Sequence, residues 1–161
     1  MARNLDKYNE DLDKLLELGE KIICDFEFVD RVVKQLTPEE VVKRDKVSGT
    51  FRDKYQIWYT EARAVISQIV PDRLIEFDEL YSSKNKNGSL LSDIQDWITH
   101  RGVGPADSYR VNGMLRVQYG ILESAQARFE SSLFDIRQMV QADLFDSELD
   151  TARELLNQGF L

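Results

Sequence analysis

The chain is expected to fold as an all-α bundle of six to seven helices, with one long C-terminal helix as its spine. Three observations carry that expectation. The first is the stretch from Val111 to Val140, where apolar residues fall at Val111, Met114, Leu115, Ile121, Leu122, Ala125, Phe129, Leu133, Ile136 and Val140 with no proline between them. That i, i+3/i+4, i+7 spacing is one face of a helix sustained for about eight turns. Such a helix is roughly 45 Å long, more than a compact domain of this size is wide. The second is sharp helix punctuation: Thr37-Pro38-Glu39-Glu40, Ser48-Gly49 and Pro71 divide the chain at helix-sized intervals. The third concerns the only β-prone run, around Phe26 to Val33. It has no second strand to pair with, and a lone strand is unstable.

Taken in order, the first helix starts near Asn4. Leu5, Tyr8, Leu12, Leu15, Leu16, Ile22, Ile23 and Phe26 line one side, and Lys7, Glu10, Asp11, Lys14 and Glu17 face outward. Gly19 is expected to weaken its middle without stopping it. Phe26, Val29, Val33 and Leu36 keep the helical spacing, so the helix, or a pair of helices, is expected to end at Leu36. Thr37 then caps, Pro38 takes the first helical position, and Glu40 can reach back to complete a capping box. Ser48-Gly49 ends this short helix and Thr50 opens the next, whose apolar face is Phe51, Tyr55, Trp58, Ala62, Val65, Ile66 and Ile69. Pro71 interrupts that helix by removing a donor and crowding the preceding turn. Leu74, Phe77, Leu80 and Tyr81 mark a shorter one. The run 82–89 is a loop by composition. Leu91, Ile94, Trp97 and Ile98 form a brief helix that Gly102 ends, and Asp107 or Ser108 caps the long helix. After Val140 the carboxylates around Asp146 restart a helix whose face is Leu149, Ala152, Leu155 and Leu156, with Gly159 as its C-cap.

Bulk composition narrows the function. The 161 residues carry a formal charge of −8 with a pI near 4.7. Phosphate backbones and anionic membranes are bound through clustered Lys and Arg, so nucleic acid is an unlikely partner and a membrane surface is not expected. Cys24 is the only cysteine, which excludes an internal disulfide and a thiolate zinc site. The charged N-terminus has no signal-peptide core, and no apolar run is long enough to span a membrane. A cytoplasmic location is expected.

No catalytic constellation emerges. His100 is the only histidine, which removes His-rich metal sites and the paired Glu-x-x-His ligands of di-iron bundles. It is read as a helix-end cation near the last carbonyls. A GxSxG elbow is absent, and Cys24 lies among apolar neighbours that favour an inert thiol. Gly-Val-Gly-Pro at 102–105 lacks the strand and the Lys-Ser/Thr of a phosphate loop. Asp143, Asp146, Glu148 and Asp150 do not follow EF-hand spacing and are read as capping and dipole partners of the restarted helix. Arg52, Lys54, Tyr55, Trp58, Tyr59 and Arg63 have the composition of a base-stacking platform. On a helix the aromatics point to the core and the arginines flank them. No catalytic, cofactor or metal residue is therefore assigned.

Two stretches, FRDKYQIWYTEARAVISQIVPDRLIEFDELY (51–81) and ARFESSLFDIRQMVQADLFDSELDTARELLNQGFL (127–161), resemble the N-terminal helical region of bacterial proteins whose later part is a HEPN-like helical domain. The resemblance implies a bacterial setting, in some cases connected with phage defence, and a chain that continues past Leu161. HEPN ribonucleases use an Arg followed on the same helix by His. The residues before His100 (LLSDIQDWIT) hold no Arg, so no nuclease residue carries over. The expected function is a non-catalytic protein–protein interaction or oligomerisation module. Residues 1–161 would form one helical domain of a longer protein, its partner either a second copy or a downstream domain of the same chain. Leu133, Ile136, Val140, Leu155, Leu156, Phe160 and Leu161 are the candidate interaction residues. An RNA-directed or ribonuclease-associated module is the alternative, and it requires Trp58 to face solvent.

Overall fold

The computed structural model describes residues 2–30, 35–86, 92–100 and 105–159. They form α1 (Ala2–Asp30), α2 (Pro38–Val47), α3 (Thr50–Ile69), a 3₁₀ turn (Pro71–Arg73), α4 (Leu74–Tyr81), α5 (Ile94–His100) and α6 (Pro105–Asn157). No strand occurs among the described residues, and the all-α expectation holds. The chain divides into two compact units, Met1–Gln126 and Ala127–Leu161.

In the first unit α1 and α3 run antiparallel. Phe26 meets Phe51 edge to face with centroids 5.0 Å apart, and toward the other end Trp58 Nε1 donates to the Leu15 carbonyl at 3.0 Å. The first turns of α6 also oppose α1. Arg116 pairs with Glu27, Tyr119 donates to Glu20 at 2.9 Å, and Gln126 reaches Asp13. Pro71 ends α3 as its ring chemistry demands, and α4 folds back along α3. There Tyr59 stacks on Phe77 and Tyr81, while Arg63 grips Asp78 through Nε and a terminal nitrogen at 2.9 Å each. Leu12, Ile22, Phe26, Tyr55, Trp58, Ala62, Ile66, Phe77, Ile94, Leu115, Ile121 and Leu122 make the core, all essentially inaccessible. Burying each of the larger of these side chains is worth about 1.5–3 kcal/mol.

The buried polar groups are matched to backbone that would otherwise be orphaned. Gly49, at φ 83°, precedes α3 and offers no capping side chain. Asp25 of α1 supplies the cap from outside the helix, accepting from Gly49 N at 3.2 Å and Phe51 N at 2.9 Å. Gln118 of α6 accepts from the Tyr55 hydroxyl at 2.9 Å and donates to the Phe77 carbonyl at 3.2 Å, tying α3, α4 and α6 at the centre. Thr37 and Glu40 complete the expected capping box of α2, at 3.3 and 2.9 Å.

Three expectations need correction. Leu36 does not end a helix: Gln35, Leu36 and Thr37 are non-helical, because Thr37 must leave helical dihedrals to cap α2. Residues 31–34, which carry Val32 and Val33, lie outside the described residues. The spine is not broken after Val140, since α6 continues as one helix to Asn157 and Gly159 ends it at φ 73°. Aspartate favours caps without being able to break a helix, so Asp146 and Asp150 are helix-interior residues.

The third is the start of α6: Pro105 opens it, so Asp107 and Ser108, expected to cap it, lie inside its first turn. Gly19 does not stop α1, as expected. A Cβ there would lie 2.9 Å from Trp58 Nε1 and 2.9 Å from Tyr119 Cδ2. Its role is close approach of α3 and α6 to α1. Both neighbours are held, Trp58 by Leu15 and Tyr119 by Glu20. Gly19→Ala gains about 1 kcal/mol of helix propensity but overpacks the contact, typically at about 1–3 kcal/mol. A net loss of about 1 kcal/mol is expected, read as a lower urea midpoint with unchanged slope. A midpoint above that of the native chain would show that the contact yields freely.

Candidate interaction surface

The sequence-derived candidates in the first unit are occupied by structure. Tyr55 and Trp58 are core, with Trp58 only 2% exposed, so the aromatics of the 52–63 segment are not a stacking platform. Of the flanking arginines, Arg52 faces Asp53 and Arg63 faces Asp78. Burial, then the hydrogen bond it gives Asp78, push the Tyr59 hydroxyl well above its ordinary pKa, so it stays a neutral donor.

The densest cluster of charge joins the 82–86 segment to α5. Asp93, fully buried, accepts from Ser83 N at 2.7 Å and from Asp96 N at 2.8 Å, which makes it the N-cap of α5. Asp96 accepts from Ser92 N at 2.9 Å and from Lys86 Nζ at 2.7 Å, and Lys86 also lies 3.7 Å from Asp93. The hydrogen bond from Lys86, then that from the Ser92 amide, hold the Asp96 carboxyl below the usual range. His100 sits one turn on, with Nδ1 3.0 Å from the Asp96 carbonyl, at the helix end as expected. These contacts staple the 82–86 segment to α5. Among the described residues no group of three or more His, Cys, Asp or Glu side chains could hold a metal ion.

Two surface grooves have distinct linings. One of about 550 Å³ lies between α3 and α5, lined by Phe51, Arg52, Tyr55, Gln56, Trp97 and Ile98. Another, of about 390 Å³, brings Cys24 beside Lys43, Arg116, Tyr119 and the carboxylates of Glu20, Glu27 and Glu123. There Arg116 and Tyr119 already hold Glu27 and Glu20.

The second unit differs. Every residue from 143 to 159 is exposed, yet five are large and apolar: Leu144 at 59%, Phe145 at 69%, Leu149 at 52%, Leu155 at 44% and Leu156 at 58%. With about 100° per residue, Leu144, Leu155, Ala152, Phe145, Leu156 and Leu149 share an arc of roughly 140° interrupted only by Glu148. Of the expected interaction residues, Leu155 and Leu156 lie on it. The side chains of Leu133, Ile136 and Val140 lie outside the described residues, as do Phe160 and Leu161. Leu144, Phe145 and Leu149 belong to the surface but were not among the expected residues. Their 4-3-4 register (Phe145, Leu149, Ala152, Leu156) becomes visible once Asp146 and Asp150 are taken as helix-interior.

Compared with protein-family models, with curated proteins and with solved structures, the chain matches none. Among the described residues no helix is long and apolar enough to cross a membrane.

Two measurements follow from the first unit. In a Trp97→Phe chain the remaining indole is Trp58, and acrylamide is expected to quench it only weakly, whereas strong quenching would mean that it faces solvent. The second is a pH series. Because the Asp96 pKa is lower folded than unfolded, its stabilisation is complete above the ordinary carboxylate pKa of about 4 and is lost as pH falls through the folded value. Lys86→Met is therefore expected to lower the urea midpoint slightly near neutrality, with a difference from the native chain that closes toward pH 2. A difference constant with pH would exclude the ion pair as its cause.

Proposed function

We propose that this chain is a helical protein–protein interaction module, non-catalytic, whose docking face is the exposed apolar arc of α6 from Leu144 to Leu156. The observation that supports it is the exposure of five large apolar side chains in one register on a helix that shows no buried residue from 143 to 159. Scattered surface leucines are ordinary, but a contiguous stripe of them marks a site that other protein covers. The stripe offers the i, i+4, i+7, i+11 anchors by which amphipathic helices enter apolar grooves or pair as coiled coils. A bacterial, cytoplasmic setting beside a HEPN-like domain fits the resemblance of residues 51–81 and 127–161, and belongs to the same proposal. The RNA-directed alternative loses its support, because Trp58 is core and the chain carries −8.

Leu149→Glu with Leu156→Glu separates interaction from folding. Both side chains are exposed, so the thermal midpoint is expected to stay within about 2 °C of the native chain's. Association with a second copy or a partner protein is expected to fall by at least about tenfold, since each removed anchor contributes on the order of 1 kcal/mol. Association unchanged in the double variant would place the interface elsewhere. A large drop in the midpoint would show that the stripe is packed within the chain.

A further inference from the structure

By the same angular bookkeeping the charged groups of 143–157 divide into two sets. Asp143, Asp150 and Glu154 lie on the far side of the helix, at roughly 170–210° from the middle of the apolar arc. Arg153 and Asp146 lie beside its Leu149 edge, at roughly 40° and 60° from that residue. This edge therefore carries one charge of each sign, two turns apart. Arg153 also meets Asp150 at 3.4 Å, a contact in which both side chains are largely exposed. The other edge gives way to uncharged Thr151 and Ser147, and Glu148 lies within the arc.

Building on the interaction reading, we propose that the arc is covered by the same arc of a second copy, running antiparallel about a two-fold axis between Asp150 and Thr151. Charge complementarity selects this occupant. In an antiparallel pair like edges meet, so Arg153 of each copy comes opposite Asp146 of the other, and the symmetry makes the bridge twice. The apolar layers fit the same register. Phe145 meets Leu156 of the second copy, and Leu149 meets its Ala152, a larger side chain against a smaller one each time. The charge pair and the apolar layers centre within one residue of each other along the helix. A parallel pair would instead set Phe145 on Phe145 and Ala152 on Ala152, crowding one layer and leaving the other underfilled. The far-side carboxylates point away from the joint and stay in water, where salt screens them. Flanking charges of this kind fix orientation and partner more than they add affinity.

The test is sedimentation of the full chain between about 10 and about 500 µM, a range suited to a seam of about 18 Å. A reversible dimer is expected, and Leu149→Glu with Leu156→Glu is expected to dissociate it. Asp146→Arg and Arg153→Asp, each alone, set like charges across the joint and are expected to weaken it about tenfold. The two reversals together restore the pairing and are expected to bring the dissociation constant within about threefold of the native value. Equimolar mixing of the two single variants is expected to give mixed dimers at least about tenfold tighter than either variant forms alone. All four positions are exposed, so the far-UV spectrum of every variant is expected to stay native. A double reversal as weak as Arg153→Asp alone overturns the antiparallel joint, because a parallel pair would place Glu148 opposite Arg153 and gain nothing from the exchange. A dimer indifferent to the leucine substitutions overturns it too. A chain monomeric throughout overturns the second-copy inference, and its binding to a synthetic helical peptide with a leucine seam then separates that failure from the wider one. Peptide bound by the native chain and lost with Leu149→Glu and Leu156→Glu leaves the interaction face standing; no binding removes the interaction reading as well.

Discussion

The first unit depends on how closely three helices approach at Gly19. There α1 lacks a Cβ, and the indole of Trp58 and the ring of Tyr119 occupy the space one would fill. The approach is fixed by polar handles as well as by shape. Trp58 Nε1 donates to Leu15 one turn before the glycine, and the Tyr119 hydroxyl donates to Glu20 beside it. Burial, then Glu20, raise the Tyr119 pKa, so the hydroxyl keeps its proton. An indole is a large apolar body with one obligatory donor. Seating it against a helix whose carbonyls are committed to their own ladder requires the backbone to come within hydrogen-bond reach, and glycine permits that. Once α3 and α6 are set against α1 by this contact, the positions of Asp25 and Gln118 follow.

Those two residues solve the problems that close packing creates. The turn before α3 uses Gly49 in a left-handed conformation, which satisfies the bend but leaves the first amides of α3 without a side-chain cap. Asp25, on the neighbouring face of α1, takes two of them. Tyr55 brings a hydroxyl into the core along with its ring, and Gln118 accepts from it and passes its own amide hydrogen to the Phe77 carbonyl. A buried polar group costs stability unless paired, so a leucine at position 118 would fit the apolar pattern of α6 and still be the worse choice.

How much of this was legible in the letters depends on the range of each interaction. Local devices were visible: the Thr37 capping box, the break at Ser48-Gly49, the stop at Pro71 and the apolar faces of α3 and α6 all rest on neighbours within four residues. The close approach at Gly19 was invisible because its partners lie 39 and 100 residues away in sequence, and propensity treats every helical glycine alike. Asp25 and Gln118 were invisible for the same reason. The end of α6 failed differently. Asp146-Ser147-Glu148 has the chemistry of a cap, and that chemistry yields when the preceding turn already supplies the carbonyls of a continuing ladder. Reading a restart there shifted the register and hid Leu144 and Phe145 as members of the face that includes Leu155 and Leu156.

The two stretches of α6 share one periodicity and meet opposite fates, and the difference lies in what surrounds the apolar positions. Between Val111 and Ala125 the buried face is Val111, Leu115, Gln118, Ile121, Leu122 and Ala125, a register that admits one amide because Tyr55 and Phe77 satisfy it. From 143 to 157 the leucines of the apolar arc are exposed, and most of the carboxylates lie on the opposite side of the helix. Carboxylates at that density would oppose collapse of that side onto another acidic surface of the same chain, through repulsion and through the cost of stripping their water.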